Sequence, residues 1–155
     1  MSTTSKPKPR KMLPPVYWLF CTVVMFILDG LLPFGFRSGP ITWGFGLCFI
    51  STGCLLGIYS AALFKQQGTP VTPFHRSKTL VVTGPFRLTR NPMYLGMCIT
   101  LFGVAITLGN PLLFVMIPLF ILVIQKRFIE PEELFLEALF FEDYRQYKRR
   151  VRRWL

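Results

Sequence analysis

The pattern of hydrophobic and polar residues divides the chain into four apolar blocks. They run over residues 16–32, 41–64, 93–108 and 112–128. A helix needs about 20 residues, with a range near 17 to 25, to cross the hydrocarbon core of a bilayer. The second block meets that length comfortably, and the shorter ones can be accommodated by tilt and by snorkelling of flanking side chains. The pattern therefore predicts about four transmembrane helices.

The breaks between the blocks predict how these helices are connected. Only Gly109, Asn110 and Pro111 separate the third block from the fourth, so these two form an antiparallel hairpin. Pro131 predicts an interruption after the fourth block. Beyond it, apolar residues recur at helical spacing opposite basic ones, which indicates an amphipathic helix at the membrane interface.

The predicted fold class is therefore all-α, a polytopic helical bundle in a single membrane domain. Its parts are a basic tail (1–15), two transmembrane helices (16–64), a loop (65–91), the hairpin (92–128) and the C-terminal amphipathic helix (131–155). Composition agrees with this, because 52% of the 155 residues are hydrophobic and 16% are charged, against about 25% charged in an ordinary globular domain. The second and third blocks have no polar face, which argues against a soluble helical bundle.

Basic residues give the chain a net charge of +11, and their placement predicts its orientation. They precede the first block, fill the loop between the second and third, and follow the fourth. Cytoplasmic loops collect Lys and Arg, so we expect both termini and the 65–91 loop on the cytoplasmic side of the cell inner membrane or endoplasmic reticulum. Basic residues at helix ends suit anionic lipid, and we expect no nucleic-acid partner.

Three features of the apolar blocks have structural explanations. The four cysteines lie inside the blocks without metal-ligand spacing, so we expect neither a disulfide nor a metal site. Gly53 and Gly57 share one helix face, which favours close helix packing within the chain and, as an alternative, a homodimer. Asp29 lies near the far end of the first helix, where solvation at the interface explains it better than a functional intramembrane carboxylate.

The loop before the third block combines turn residues with apolar ones. Gly84-Pro85 predicts a turn, Pro92 suits the first position of the third helix, and Asn91 is its predicted N-cap. A loop of this length without its own helix is usually functional or disordered, and its apolar residues argue against disorder. After Pro131, Glu132 and Glu133 complement the helix dipole of the C-terminal segment.

Two stretches together carry a family resemblance. "LVVTGPFRLTRNPMYLG", followed by a hairpin and then "EPEELFLEALFFEDYRQYKRRVRRW", resembles the isoprenylcysteine carboxyl methyltransferases, membrane S-adenosylmethionine-dependent enzymes related to phospholipid methyltransferases. The family pattern is Leu-Val-x-x-Gly-x-Tyr, Arg-His-Pro-x-Tyr, Glu-Glu, and Phe-Gly-x-x-Tyr-x-x-Tyr before a basic end. The resemblance covers about residues 78–154.

The resemblance implies S-adenosylmethionine-dependent methyl transfer to a lipophilic or membrane-anchored acceptor, with a carboxylate, amine or thiol nucleophile. Glu132, the first glutamate of the pair, would contact the cofactor. Arg127 would contact the acceptor, although its spacing to the pair is one residue longer than in the family. The full set of cofactor residues expected is Lys78, Thr79, Leu80, Val81, Phe86, Arg90, Asn91, Pro92, Met93, Tyr94, Glu132 and Glu133.

The chain departs from the family pattern at several positions. Asn91 and Lys78 stand where the family has histidines, Phe86 stands for a tyrosine, and Phe140-Phe141 replaces Phe-Gly. Asparagine can donate and accept hydrogen bonds but cannot titrate as imidazole does. Two alternatives therefore stay open. One is an NADPH-dependent membrane reductase of sterol-reductase-like architecture, and the other is a non-catalytic membrane protein that retains the scaffold.

Overall fold

The computed structural model describes residues 13–32, 34–35, 39–66 and 80–155, and within these ranges it contains helices and no strand. The five α-helices are α1 (Pro14–Leu31), α2 (Pro40–Gln66), α3 (Pro92–Leu108), α4 (Met116–Ile124) and α5 (Glu130–Arg150). Short 3-10 helices precede α3 (Gly84–Arg87) and α4 (Pro111–Val115), and a π-helix (Gln125–Ile129) joins α4 to α5. The all-α class is confirmed.

Among the described residues, three helical stretches are long and apolar enough to cross a membrane: α1, α2 and the continuous run Pro111–Arg150. Within that run α4 carries no charged residue, while charges begin at Lys126. We therefore take the apolar part up to Ile124 as lying in the membrane, although its 14 residues are short for a full span, and α5 as lying outside it. The 17 residues of α3 are at the lower end of the length needed for a span, so the exact number of crossings stays a prediction.

Glycines bring α2 and α3 into close contact. A Cβ atom at Gly53 would lie 2.5 Å from the carbonyl oxygen of Gly96, and one at Gly96 would lie 2.6 Å from that of Gly53. Likewise, a Cβ atom at Gly46 would lie 2.8 Å from the carbonyl oxygen of Gly103. Small residues allow such backbone contact where lipid provides no hydrophobic driving force. Gly53 is buried within the chain, because its side of α2 packs against α3. A homodimer through Gly53 and Gly57 stays an untested prediction.

A core of large apolar side chains joins α1, α3 and α4. Met25, Leu101 and Phe120 are at most 1% exposed and belong to one cluster. The indole of Trp18 adds a polar contact, donating to the Thr100 hydroxyl at 2.7 Å. The outward faces of the helices carry exposed apolar side chains, as expected of helices that face lipid.

Asn110 closes one end of the bundle, which we call the Asn110 end. Its fully buried amide donates to a carboxylate oxygen of Asp29 at 3.2 Å and to the Leu32 carbonyl at 2.8 Å, and its oxygen accepts from the Leu112 N–H. Asp29 therefore does more than meet solvent at the interface, because it fixes the loop between α3 and α4. Gly109 makes the turn with a positive φ of 71°.

The interruption predicted at Pro131 is displaced upstream: the chain is helical from Pro111 to Arg150, but α4 and α5 are separated by the π-helical turn Gln125–Ile129, and Pro131 lies in the first turn of α5. A proline inside a helix removes one N–H and crowds the carbonyl four residues earlier. Here the wider π-helical turn Gln125–Ile129 lies directly upstream and takes up that crowding. The helix instead bends at Phe141, where φ is 46° and ψ is −116°.

Candidate active site

The segment 80–91 lies against the C-terminal end of α2 and buries two of its apolar side chains. Val81 and Phe86 are each 4% exposed, and the Phe86 ring meets Phe64 edge-on with centroids 5.1 Å apart. Gly84 adopts a φ of 60°, and a Cβ there would lie 2.8 Å from a Leu63 methyl group. Tyr147 of α5 donates to the Phe86 carbonyl at 2.7 Å. The segment is therefore held from both α2 and α5.

The first glutamate of the pair faces the start of α3. The Tyr94 hydroxyl donates to Glu132 across 3.4 Å, a long hydrogen bond. Within the part of the chain that the structure describes, Glu132 makes no ion pair, and this hydrogen bond is its one side-chain contact with a polar group. Its carboxylate is therefore uncompensated by any described cation.

The second glutamate has the opposite environment. Glu133 accepts from the Arg90 guanidinium at 2.7 Å and from Arg153 at 2.7 and 3.1 Å. The side chains of Arg90 and Glu133 are each 10% exposed, so this is a largely buried ion pair. Arg90 also donates to the Val151 carbonyl at 2.9 Å. Glu133, Arg90 and Arg153 form what we call the clasp.

These environments move the two carboxyl groups in opposite directions. Burial raises the pKa of Glu132 to about 7, with the hydrogen bond from Tyr94 lowering it and the charge of Glu133 raising it further. Burial also acts to raise the pKa of Glu133, but the hydrogen bonds and charges of Arg153 and Arg90 outweigh it and lower that pKa below its ordinary value. Neighbouring glutamates thus have different protonation behaviour near neutral pH.

The C-terminal tail, residues 151–155, lies against the start of α3. The Arg90 N–H donates to the Arg152 carbonyl at 3.0 Å, while the side chains of Thr89 and Asn91 donate to the Arg153 carbonyl at 3.1 and 2.9 Å. Asn91 occupies the N-cap position of α3, as predicted, but among the described residues its side chain makes no capping hydrogen bond, so that part of the prediction is wrong. Its amide instead binds a carbonyl 62 residues away.

Arg127 projects from the π-helix toward α1 rather than toward the glutamates. Its guanidinium donates to the Tyr17 hydroxyl at 3.1 Å, and its side chain is otherwise exposed. A π-helical turn holds about one residue more than an α-helical turn. This turn therefore accounts for the extra residue between Arg127 and Glu132 that distinguishes the sequence from the family pattern.

The remaining predicted residues differ in how far the structure describes them. Pro92 is buried at the first position of α3, and Met93 beside it is half-buried. Lys78 and Thr79 lie outside the described residues. Among the site residues that are described, only Leu80 lines an open groove of about 620 Å³ between the 80–87 segment and α5. That groove is lined by Leu80, Val82, Thr83, Arg87, Asp143, Gln146, Tyr147, Arg150 and Val151.

Sequence reasoning missed three residues that hold this region together: Arg153, Tyr147 and Tyr17. Arg153 lies in a run of basic residues, where composition alone suggests a solvated tail. Tyr147 belongs to the Tyr-x-x-Tyr part of the family pattern, which signals its importance without naming its partner. Tyr17 lies in the half of the chain that the resemblance does not cover, so no signal pointed to it.

Comparison with known proteins agrees with this arrangement. The sequence profile described as phospholipid methyltransferase matches residues 41–143, from α2 through most of α5. The chain belongs to this family. Family membership confirms the predicted resemblance and, with the apolar helices, an integral membrane protein of a methyltransferase family.

A solved structure and a curated protein sequence extend the comparison. The chain superposes on the eukaryotic intramembrane Ras methyltransferase ICMT (isoprenylcysteine carboxyl methyltransferase) with a TM-score of 0.67 and 24% identity. The match covers 88% of this chain and 50% of ICMT, so the chain spans about half the length of that enzyme. At this identity the similarity establishes the fold. An uncharacterized protein of Haemophilus influenzae is 44% identical over 63 residues, which are all of that protein and 41% of this chain.

Proposed function

We propose that the protein transfers a methyl group from S-adenosylmethionine to a lipophilic acceptor at the cytoplasmic face of the membrane. The observation that carries the proposal is Glu132, a carboxylate at the end of the bundle opposite Asn110, which has no described cationic partner. Glu132 is half-buried, and a carboxylate withdrawn even partly from water is costly without a cation, so its place beside a fully paired glutamate favours a cationic ligand. The family supports methyl transfer as the chemistry.

The charges around Glu132 fit S-adenosylmethionine better than NADPH. S-adenosylmethionine brings an ammonium and a sulfonium, either of which would neutralise Glu132. NADPH carries phosphates and no cationic group, so it would leave the charge of Glu132 without a partner. The arrangement therefore favours the methyltransferase over the reductase alternative.

Two groups fit the carboxylate of the same ligand. The Nε atom of Arg90 is buried and has no hydrogen-bond partner among the described residues. A buried donor without an acceptor costs about 1–3 kcal/mol, which a carboxylate oxygen would recover. The first backbone N–H groups of α3 lie beside Arg90, and a helix N-terminus attracts anions. Glu132 would then bind the ammonium of the ligand's amino acid group, while Arg90 and the first N–H groups of α3 would bind its carboxylate.

The other predicted residues would complete the pocket. Apolar side chains of the 80–91 segment, with Leu80 on its open side, suit an adenine ring, and Pro92 and Met93 would bound the pocket at the start of α3. Lys78 and Thr79 keep their assignment from the family resemblance alone. Asn91 and Glu133 would act indirectly, since they fix the tail and Arg90.

When bound, S-adenosylmethionine would supply an electrophilic methyl group to the acceptor nucleophile, and its sulfur would leave as a neutral thioether. The protein residues supply alignment and exclude water. Arg127 would bind an anionic group of the acceptor, because guanidinium pairs well with carboxylate or phosphate. Carboxylate, amine and thiol nucleophiles all remain compatible with this arrangement.

The location at the cytoplasmic surface rests on charge. Basic residues before α1, after α2 and along α5 favour the cytoplasmic side for both termini and for the site. A polar cofactor could then enter from water, while a lipophilic acceptor enters from the bilayer.

Calorimetry on the detergent-solubilised full chain tests the proposal. S-adenosylhomocysteine is expected to bind, and NADPH is not. Glu132→Gln should weaken S-adenosylhomocysteine binding about 30-fold, which is about 2 kcal/mol for a lost charged hydrogen bond. Glu142→Gln, an exposed glutamate on the same helix, is the matched control and should leave affinity unchanged.

Each other outcome has a definite meaning. Binding of NADPH alone would support the reductase, and binding of neither ligand would support the non-catalytic scaffold. Equal affinities for the Glu132→Gln variant and the parent chain would remove the assigned role of Glu132.

A further inference from the structure

Tyr17 of α1 holds Arg127 in two ways. Its hydroxyl accepts a hydrogen bond from the guanidinium at 3.1 Å, and the guanidinium carbon lies 6.0 Å from the centroid of its ring. The second distance is at the limit for a favourable interaction between a cation and an aromatic face. Both contacts come from the same tyrosine, so together they favour one position and one orientation of the guanidinium.

The Tyr17 ring is itself anchored. It meets Phe128 edge-on, with centroids 5.5 Å apart, and Phe128 is 1% exposed in the core. Arg127 is exposed apart from its contact with Tyr17 and would otherwise sample many rotamers. Tyr17 therefore connects the exposed side chain of Arg127 to the buried core at Phe128.

The π-helical turn gives this contact a specific origin. It includes both Arg127 and Phe128, so the residue that binds Tyr17 through its guanidinium and the residue that anchors the Tyr17 ring are neighbours. π-helical turns occur frequently at functional sites. Through this contact α1, to which the family resemblance assigns no role, contacts Arg127, the residue proposed to bind the acceptor.

We propose that Tyr17 is a positioning residue that orients Arg127 toward an anionic group on the lipophilic acceptor. The inference rests on the proposed function, because it assigns Tyr17 a part in acceptor binding at the same site. It adds a specificity element from the first helix. Tyr17 acts through Arg127 and has no part in holding the cofactor.

The test measures methyl transfer by the full chain in lipid nanodiscs, with methyl-labelled S-adenosylmethionine and a membrane lipid extract as acceptor. Tyr17→Phe keeps the ring and removes the hydroxyl. It should raise the extract concentration that gives half-maximal rate about tenfold, with S-adenosylhomocysteine affinity within twofold of the parent chain. The matched control is Trp18→Phe, which removes a different hydrogen bond from α1, to Thr100, and should leave that concentration unchanged.

A double-mutant cycle separates positioning from general stability. Arg127→Lys keeps the charge but loses the planar guanidinium. If Tyr17 acts through Arg127, adding Tyr17→Phe to Arg127→Lys should cause little further increase. Full additivity, or equal effects of Tyr17→Phe and Trp18→Phe, would overturn the inference and leave the proposed function in place.

A second measurement does not depend on finding the acceptor. Phenylglyoxal modifies accessible arginines, and peptide mass spectrometry can follow Arg127 alone. Loss of the Tyr17 hydroxyl should speed modification of Arg127 at least threefold, whereas Trp18→Phe should not. Unchanged reactivity overturns the positioning role. Absence of both S-adenosylhomocysteine binding and methyl transfer in the parent chain overturns the proposed function instead.

Discussion

The two ends of the helical bundle treat their polar side chains differently. At the Asn110 end, the buried amide binds Asp29, the Leu32 carbonyl and the Leu112 N–H. At the opposite end, the clasp pairs Glu133 with two arginines, yet Glu132 beside it contacts only a tyrosine hydroxyl among the described residues. Polar groups that serve the fold are satisfied from within the chain. Under the proposed function, the carboxylate without a described cationic partner is the one that binds a ligand.

The largest effect that tests this difference is expected from Glu133→Gln. It removes the charge that neutralises Arg90 and Arg153, and breaking a buried pair costs about 3–5 kcal/mol. The thermal unfolding midpoint in detergent should fall by roughly 10 °C. Glu142→Gln serves again as control, with its side chain 70% exposed, and should barely change the midpoint. Similar midpoints for the two variants would mean that the clasp is solvated.

Asn110→Ala is expected to have the next largest effect, on stability alone. Asn110 is 0% exposed, and its loss leaves the Leu112 N–H and the Leu32 carbonyl without their partner. The free energy of unfolding should fall by about 2 kcal/mol. Gly30→Ala at the same end is a suitable control, because a Cβ there meets nothing within 4 Å. A weakened affinity of Asn110→Ala for S-adenosylhomocysteine would contradict a purely structural role for this end.

Local patterns predicted the helices of this fold well. α1, α2 and α3 begin and end within two residues of the apolar blocks at 16–32, 41–64 and 93–108. The all-α membrane class followed from the same pattern. The misplaced interruption at Pro131 shows the limit of a local rule, because a π-helical turn upstream changes the geometry that makes a proline disruptive.

The site could be predicted only in part because its contacts are distant in sequence. Asn91 looked like a helix cap, yet its amide binds a carbonyl in the tail. Glu132 and Glu133 are adjacent and identical in type, so nothing local distinguishes the paired carboxylate from the unpaired one. That distinction depends on Arg153, which folding brings back from the end of the chain.

Ligand binding between pH 6 and pH 8 provides the next test of the comparison. The pKa of Glu132 is raised to about 7 by burial, so the free protein carries a mostly neutral Glu132 at pH 6 and a mostly charged one at pH 8. The ammonium group of S-adenosylhomocysteine would pair with the charged form of Glu132, so affinity for this ligand should rise about tenfold over this range, with release of a proton on binding near pH 6. Calorimetry in buffers of different ionisation enthalpy measures both quantities.

Glu132→Gln is the control for this pH dependence. It cannot titrate, so its weaker binding should be nearly constant over the same range. Glu133 has a lowered pKa and stays charged throughout, so it does not contribute. A pH dependence that persists in Glu132→Gln would assign the titration to another group.

The smallest expected effect concerns the bend in α5 at Phe141, between Glu133 and the tail. Phe141 has a φ of 46° and a ψ of −116°, a conformation that suits glycine, and the family pattern has glycine at this position. Its ring is 70% exposed, so removing it costs little packing in detergent. Phe141→Gly should therefore stabilise the protein by about 1 kcal/mol and raise the unfolding midpoint by roughly 3 °C. Phe141→Ala removes the same ring but keeps a Cβ, so it should not gain this stability. Equal midpoints for the two variants would show that the backbone at Phe141 is not strained. Phenylalanine in place of the family's glycine would then have no cost in stability at this bend.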